Sequence, residues 1–310
     1  MKEKNRMYAL MCVLVVVWGL DFIIAKNALG LFEPMSLLFF KYVSALALVL
    51  VVKIKTDGFR FIKKKDLPVY IACALFGEVA YYFCEYSAMA YLPVSLISII
   101  IAFVPALSVV FERVLHKQKT NRKCILWILV CIFGIALVIG VDTEALLEGR
   151  AIGYLLALSC VFLWNAYNFI TVELHKNYAT ATLTANQLLC TVIMLLPYVL
   201  HRAHALPAVT PAVVLQMLYL GVLSSGLGFL IQVRALHVLG PTTTALFSNF
   251  LPVVTTFFGW LILKETISPM QMAGGAIVIA AGYIVIKEKG KMEDLNVERE
   301  NELDDADRFL

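Results

Sequence analysis

The chain has 310 residues, of which 61% are hydrophobic and 15% charged, with a mean hydropathy of +0.84 and a formal net charge of +4. Soluble domains run at about 45–50% apolar and about 25% charged, and surface-to-volume scaling limits the apolar surface that a water-soluble fold of this length can hide. These values exclude an ordinary soluble enzyme, a secreted disulfide scaffold and a disordered chain, and they make lipid the natural solvent.

Residues 1–6 carry Lys2, Lys4 and Arg6 ahead of an apolar run, which imitates a secretory signal. With no cleavage site and further apolar runs behind it, this segment is predicted to be an uncleaved first span. A membrane helix needs about 20 mostly apolar residues. Ten runs qualify: residues 8–29, 35–52, 67–90, 94–115, 124–141, 152–172, 183–200, 212–236, 242–263 and 270–286. Continuous runs, rather than alternating ten-residue segments, predict helices and not a barrel.

The polar residues along these runs are few and informative, because an ionisable side chain at a span centre costs about 2.5–3.5 kcal/mol and asks for a partner or a cavity. Span one carries Trp18, Asp21 and Lys26, and span two carries Lys41. Span three carries Glu78, Tyr81, Tyr82 and Glu85, whose spacing predicts one helical face. Glu85 falls near the end of its span, where a vestibule or simple solvation is expected. Pro105 in span four and Pro252 in span nine interrupt their helices and loosen the carbonyls four residues back, those of Ile101 and Ser248. Spans six to nine add Trp164, Asn165, Tyr167, Asn168, Gln187, Gln232 and Asn249. Spans five and ten carry small residues, Gly134 and Gly140 against Gly274, Gly275 and Gly282. They suit either a homodimer face or an internal packing face. Residues 287–310 are charged and lack an apolar stripe, so a disordered or loosely helical tail facing the cytosol is expected there.

Twenty-one of the 26 lysines and arginines fall in the segments on the side of the N-terminus, counting that side through ten crossings. Arg150, Arg202 and Lys264 fall on the other side, and Lys26 and Lys41 lie inside spans. The excess places both termini in the cytoplasm of a multi-pass protein of the cell membrane.

The two halves echo each other at offsets of 146 to 148 residues. Val17-Trp18-Gly19 parallels Leu163-Trp164-Asn165, and Ala88 to Pro105 parallels Ala235 to Pro252. The expected units are residues 1–141 and 142–286, five spans each, followed by the tail at 287–310. Five is odd, so the second unit enters the membrane inverted. The predicted fold is an all-α integral membrane protein of ten helices in two inverted five-helix repeats. Such repeats place a solute site at the midplane between them. Asp21, Lys41 and Glu78 are expected to converge there beside an aromatic wall of Trp18, Tyr82 and Trp164, with Asn168 and Asn249 on the pathway and Pro105 and Pro252 as hinges. A carboxylate balanced between burial and a nearby lysine can load and release a proton, which makes Glu78 and Asp21 the coupling candidates. Aromatic rings beside charges can hold an ammonium.

No phosphate-cradling GxxxxGK[ST] or GxGxxG and no HExxH occurs, so no nucleotide, cofactor or metal is implied. The seven cysteines all sit in apolar runs and read as small buried hydrophobes. The expected partners are the lipid bilayer and a small solute, with no nucleic acid. A membrane enzyme and a channel are the rival classes. Product formed from a lipid would favour the first, and saturable counterflow separates a carrier from the second.

The ordered motifs across residues 8–286 resemble the drug/metabolite transporter superfamily, in its ten-span EamA-type branch. They are Trp18-Gly19, Pro34, Tyr86 to Tyr91, Leu218 to Gly221, Ala235-Leu236, Pro252 through Gly259-Trp260 to Lys264-Glu265, then Gln271 and Gly274. The resemblance implies a secondary carrier that exports small metabolites by alternating access, amino acids first and toxic amphipathic compounds second. This chain departs from the pattern in having Gln118 where the first half should carry the counterpart of Glu265, Glu112 seven residues after Pro105, and Lys41 in place of arginine.

Overall fold

The computed structural model describes residues 2–58, 62–115, 121–140 and 151–308. Nine helices among them are long and apolar enough to cross a membrane: α1 (Glu3–Ala28), α2 (Pro34–Thr56), α3 (Lys64–Ala88), α4 (Val94–Leu115), α6 (Ala151–His175), α7 (Thr180–His201), α8 (Pro211–Leu239), α9 (Pro241–Leu263) and the Pro269–Glu288 part of α10. Between α4 and α6 lies α5 (Arg122–Gly140), an apolar helix that completes the ten expected from the sequence. Prolines open α2, α8, α9 and α10, where a missing N–H costs nothing because the first-turn donors have no intrahelical partner.

Contacts at the helix ends show the up-and-down order. On the face that holds the N-terminus, Arg234 at the end of α8 pairs with Glu3 of α1. On the same face Asp57 after α2 accepts from the Thr182 N–H and hydroxyl at the start of α7, both at 2.8 Å. On the far face the Lys26 ammonium at the end of α1 donates to the Met89 carbonyl after α3. Glu33 before α2 pairs there with Arg202 after α7. That arginine, with the Tyr198 hydroxyl, holds the Glu33 carboxyl below its ordinary range.

The inversion is visible in the packing. Helix α1 lies against α8 and α9, while its counterpart α6 lies against α3 and α4. Helices α2 and α7, α4 and α9, and α5 and α10 pack on each other, as equivalent elements must around a two-fold axis.

The broken helices also match. In α4 the helix stops at Ile101 and resumes at Val104, one residue before Pro105. In α9 a tightened 3₁₀ turn runs Leu246–Phe250 and the α-helix resumes at Leu251, one residue before Pro252. Helix α3 widens into a π-helical stretch at Ala74–Ala80, and α8 does so at Leu218–Leu227.

The small-residue stripes serve an internal interface. A Cβ added at Gly274 would stand 2.8 Å from the Gly134 carbonyl oxygen, so the backbones of α5 and α10 touch there. Alongside, the Cys131 thiol donates to the Val278 carbonyl at 3.7 Å. Gly274→Val should therefore lower the thermal unfolding midpoint of the solubilised protein, at a cost of about 1–3 kcal/mol for overpacking. Met272→Val, on a side chain 59% exposed, should leave the midpoint in place.

The tail, expected to be disordered or loosely helical, continues α10 as helix to Arg308. It is rich in the helix formers Glu, Lys and Leu, and Lys291 pairs with Glu288 at 2.6 Å on its first turns. Gln118 and Arg150 lie outside the described residues.

Candidate solute site

The site is assembled from α1, α3, α4, α6 and α9 around a narrow cavity of about 20 Å³. Its walls include Trp18 and Asp21 of α1, Tyr81, Tyr82 and Glu85 of α3, Ile101 of α4, Trp164 of α6, and Ser248 and Leu251 of α9. Ile101 and Ser248 are the two residues whose carbonyls the prolines release, so the breaks in both halves meet at one place. A second narrow cavity, of about 10 Å³, shares Trp18, Trp164, Ser248 and Leu251 and extends toward the N-terminal face past Met11, Val15 and Gln232.

The expected aromatic wall of Trp18, Tyr82 and Trp164 is in place. The two tryptophans meet edge to face at 5.7 Å, and Tyr81 packs on Trp164 at 4.9 Å. The Trp18 indole donates to the Ser224 carbonyl at 3.2 Å, in the π-helical stretch of α8.

Asp21 and Lys41 come together as expected. The Lys41 ammonium lies 3.4 Å from both Asp21 carboxylate oxygens. It donates to the Tyr86 hydroxyl at 3.0 Å and stands 4.0 Å over the Tyr82 ring. Lys41 is fully buried and Asp21 is 3% exposed. One cation thus ties α1, α2 and α3 together, with its charge matched by a carboxylate and by the electron-rich ring faces.

Glu78 does not join this pair. It is fully buried, and neither carboxylate oxygen has a hydrogen-bond partner among the described residues. The one-face expectation assumed regular α-helical winding. The π-helical stretch puts an extra residue into the turn, and Glu78 sits within it while Tyr81, Tyr82 and Glu85 follow it. The stretch packs on α6 and α7. Gly77 leaves room for the Tyr167 ring, since an added Cβ would stand 2.2 Å from it. The Tyr42 hydroxyl of α2 donates to the Glu78 carbonyl at 3.3 Å. Close by, the Gln187 amide of α7 donates to the Thr171 hydroxyl of α6 at 3.0 Å. Glu78 therefore occupies a polar setting among α2, α3, α6 and α7, apart from the Asp21 cavity.

Asn168 and Asn249 line neither cavity. The Asn168 carbonyl accepts from the Gln232 amide at 3.1 Å, linking α6 to α8. Asn249, turned so that both ends of its amide are satisfied, donates to the Ala102 carbonyl at 2.7 Å and accepts from the Tyr283 N–H at 3.2 Å. Residues 102 and 249 are equivalent in the repeat, so Asn249 bridges the two helix breaks.

Glu85 was underestimated. It is 2% exposed, faces the cavity, and keeps its Oε1 without a hydrogen-bond partner. Its depth in the chain suggested water, yet the far face is closed over it. There Lys26 reaches the Met89 carbonyl, and Glu265 accepts from the Val94 N–H at 2.9 Å, the Ser95 N–H at 3.2 Å and the Ser95 hydroxyl at 2.8 Å.

Comparison with known proteins agrees with this architecture. The sequence matches the EamA-like transporter family twice, over residues 5–140 and 151–287. It is 26% identical over 301 residues to a probable amino-acid metabolite efflux pump of Salmonella typhimurium, covering 92% of this chain and 95% of that one. It is 24% identical over 228 residues to a probable terminal-alkyne amino-acid exporter of Streptantibioticus cattleyicolor, covering 74% and 76% of the two chains. A solved crystal structure superposes with a TM-score of 0.67 at 17% identity, covering 93% of this chain and 99% of the other, which shows the shared fold. With two family matches spanning both five-helix halves, the chain belongs to the EamA-like transporter family.

Proposed function

We propose that this transporter exports amino acids or related amphipathic metabolites across the cell membrane by alternating access, driven by a proton gradient. The observation that carries this reading is the pair of adjoining cavities where both broken helices meet between the inverted halves. Their aromatic and carboxylate walls suit a solute with an apolar body and a charged amine, and the relatives named for amino-acid export support that class. The same aromatic walls favour a second reading, efflux of toxic amphipathic compounds by the same route. The lysine and arginine excess supports termini that face the cytoplasm. A second copy would meet the exposed Leu126, Leu129 and Phe133 of α5, because the small-residue side of that helix is already used.

Trp18, Asp21, Tyr82 and Trp164 contact the solute in this reading, Lys41 holds Asp21 in place, and Pro105 and Pro252 let the halves of α4 and α9 reorient. Asn168 and Asn249 hold the walls from behind. Of the two coupling candidates, Glu78 is favoured. Asp21 is already balanced by Lys41, whereas a buried carboxylate without a partner must take a proton to remain in the membrane. Proteoliposomes with an inside-versus-outside pH difference test this. Glu78→Gln is expected to lose at least tenfold of the gradient-driven flux of the best amino-acid solute while solute counterflow persists. Unchanged gradient-driven flux would remove Glu78 from the coupling step.

A further inference from the structure

We propose that Glu85 is the docking point for the solute's ammonium group and that the preferred solute is a net monocation, an amine, amide or ester relative of an amino acid rather than the zwitterion. The inference rests on the transporter reading and narrows its solute.

Charge is out of balance around the main cavity. Two carboxylates line the main cavity, Asp21 and Glu85, and no lysine, arginine or histidine does. Asp21 is balanced by Lys41, which stands outside the lining, spent on Asp21, the Tyr86 hydroxyl and the Tyr82 ring. Glu85 shares the one ammonium of Lys41 with Asp21 and keeps Oε1 without a hydrogen bond in a position 2% exposed. A buried carboxylate without a counter-charge of its own either holds a proton or takes a cation, so an ammonium entering this cavity supplies what the protein withholds.

The remaining walls point the same way. Trp18, Tyr81, Tyr82 and Trp164 present the kind of ring surface that attracts organic ammonium ions. The carbonyl of Ile101, loosened by Pro105, is an acceptor as well. The cavity is therefore rich in acceptors and offers no base for a solute carboxylate. Rejecting a zwitterion follows from desolvating its carboxylate with nothing to receive it.

The test uses purified full-length protein and three probes that share one ring and chain length but differ in charge: 2-phenylethylamine, phenylalanine and 3-phenylpropionate. Equilibrium binding is measured by titration calorimetry. The amine is expected to bind at least tenfold more tightly than phenylalanine, and the propionate not to bind. Glu85→Gln should weaken the amine at least tenfold with an unchanged thermal midpoint, and Glu85→Asp should recover part of it. Equal binding of the three probes, absence of amine binding, or full amine affinity in Glu85→Gln overturns the proposal. Because binding is read without transport, an amine that binds but shows no counterflow faults the carrier reading alone. Counterflow of phenylalanine without amine binding faults the docking site alone.

Discussion

Replacing Lys41 by methionine is expected to be the most damaging single change in the membrane core, costing about 3–5 kcal/mol of stability. The ammonium is fully buried and is the counter-charge that faces Asp21 at 3.4 Å. Removing it strands a carboxylate among α1, α2 and α3, leaves the Tyr86 hydroxyl without its donor, and removes the charge from over the Tyr82 ring. The thermal midpoint of the solubilised Lys41→Met protein should fall by far more than that of a cavity-lining change such as Leu251→Val.

The double variant Asp21→Asn with Lys41→Met separates fold from function. With both charges gone, the desolvation cost disappears, and replacement of a buried pair by neutral groups is often close to neutral. The double variant should therefore unfold near the wild-type temperature. If the pair only fixes helix packing, solute counterflow returns with stability. If Asp21 also contacts the solute, as its place in the cavity wall suggests, counterflow stays at least tenfold down in a well-folded protein. A double variant as unstable as the single one would show that the pair is not what Lys41 contributes.

Much of this architecture was legible because the bilayer enforces it. Every span must be long, apolar and helical, so the ten runs read directly, and the duplicated prolines gave away both helix breaks. Residues inside the cavity were legible where chemistry was extreme, as with Asp21, Lys41, Trp18 and Trp164. Glu78 and Glu85 were misplaced for two physical reasons. A π-helical turn changes which residues share a face, and nothing in Ala74–Ala80 announces one. Depth along a span measures distance from the bilayer edge, whereas burial of Glu85 depends on neighbours from other helices, such as Asp21 and Trp164 in the same cavity wall. A polar residue in a span, such as Asn249, suits either a pathway or hydrogen-bond glue between helices. Its equivalence with Ala102 across the repeat axis appears only in three dimensions.

The repeat also explains Glu112, and with it the second large effect. On the far face Glu265 of the second half caps the start of α4 through Val94 and Ser95. On the N-terminal face Glu112 of the first half accepts from the Thr242 hydroxyl at the start of α9 at 2.5 Å, and Ser108 meets the same hydroxyl at 3.1 Å. Ser95 and Thr242 are equivalent positions, so each broken helix is closed at its entrance by a carboxylate from the opposite half. Hydrogen bonds to a charged group contribute about 1.5–3 kcal/mol each in favourable cases. Allowing for the partly exposed position of Glu265, its loss should shift the balance by about 2 kcal/mol, roughly 30-fold, toward a state open on the far face. The measurement is the rate at which an impermeant maleimide labels Ser248→Cys in a background lacking the seven native cysteines. Glu265→Ala should accelerate labelling from the far face, and Glu112→Ala should accelerate it from the N-terminal face. Acceleration on the same face by both variants would mean that the carboxylates do not act as opposed locks, and no change in either would mean that the closures are held elsewhere.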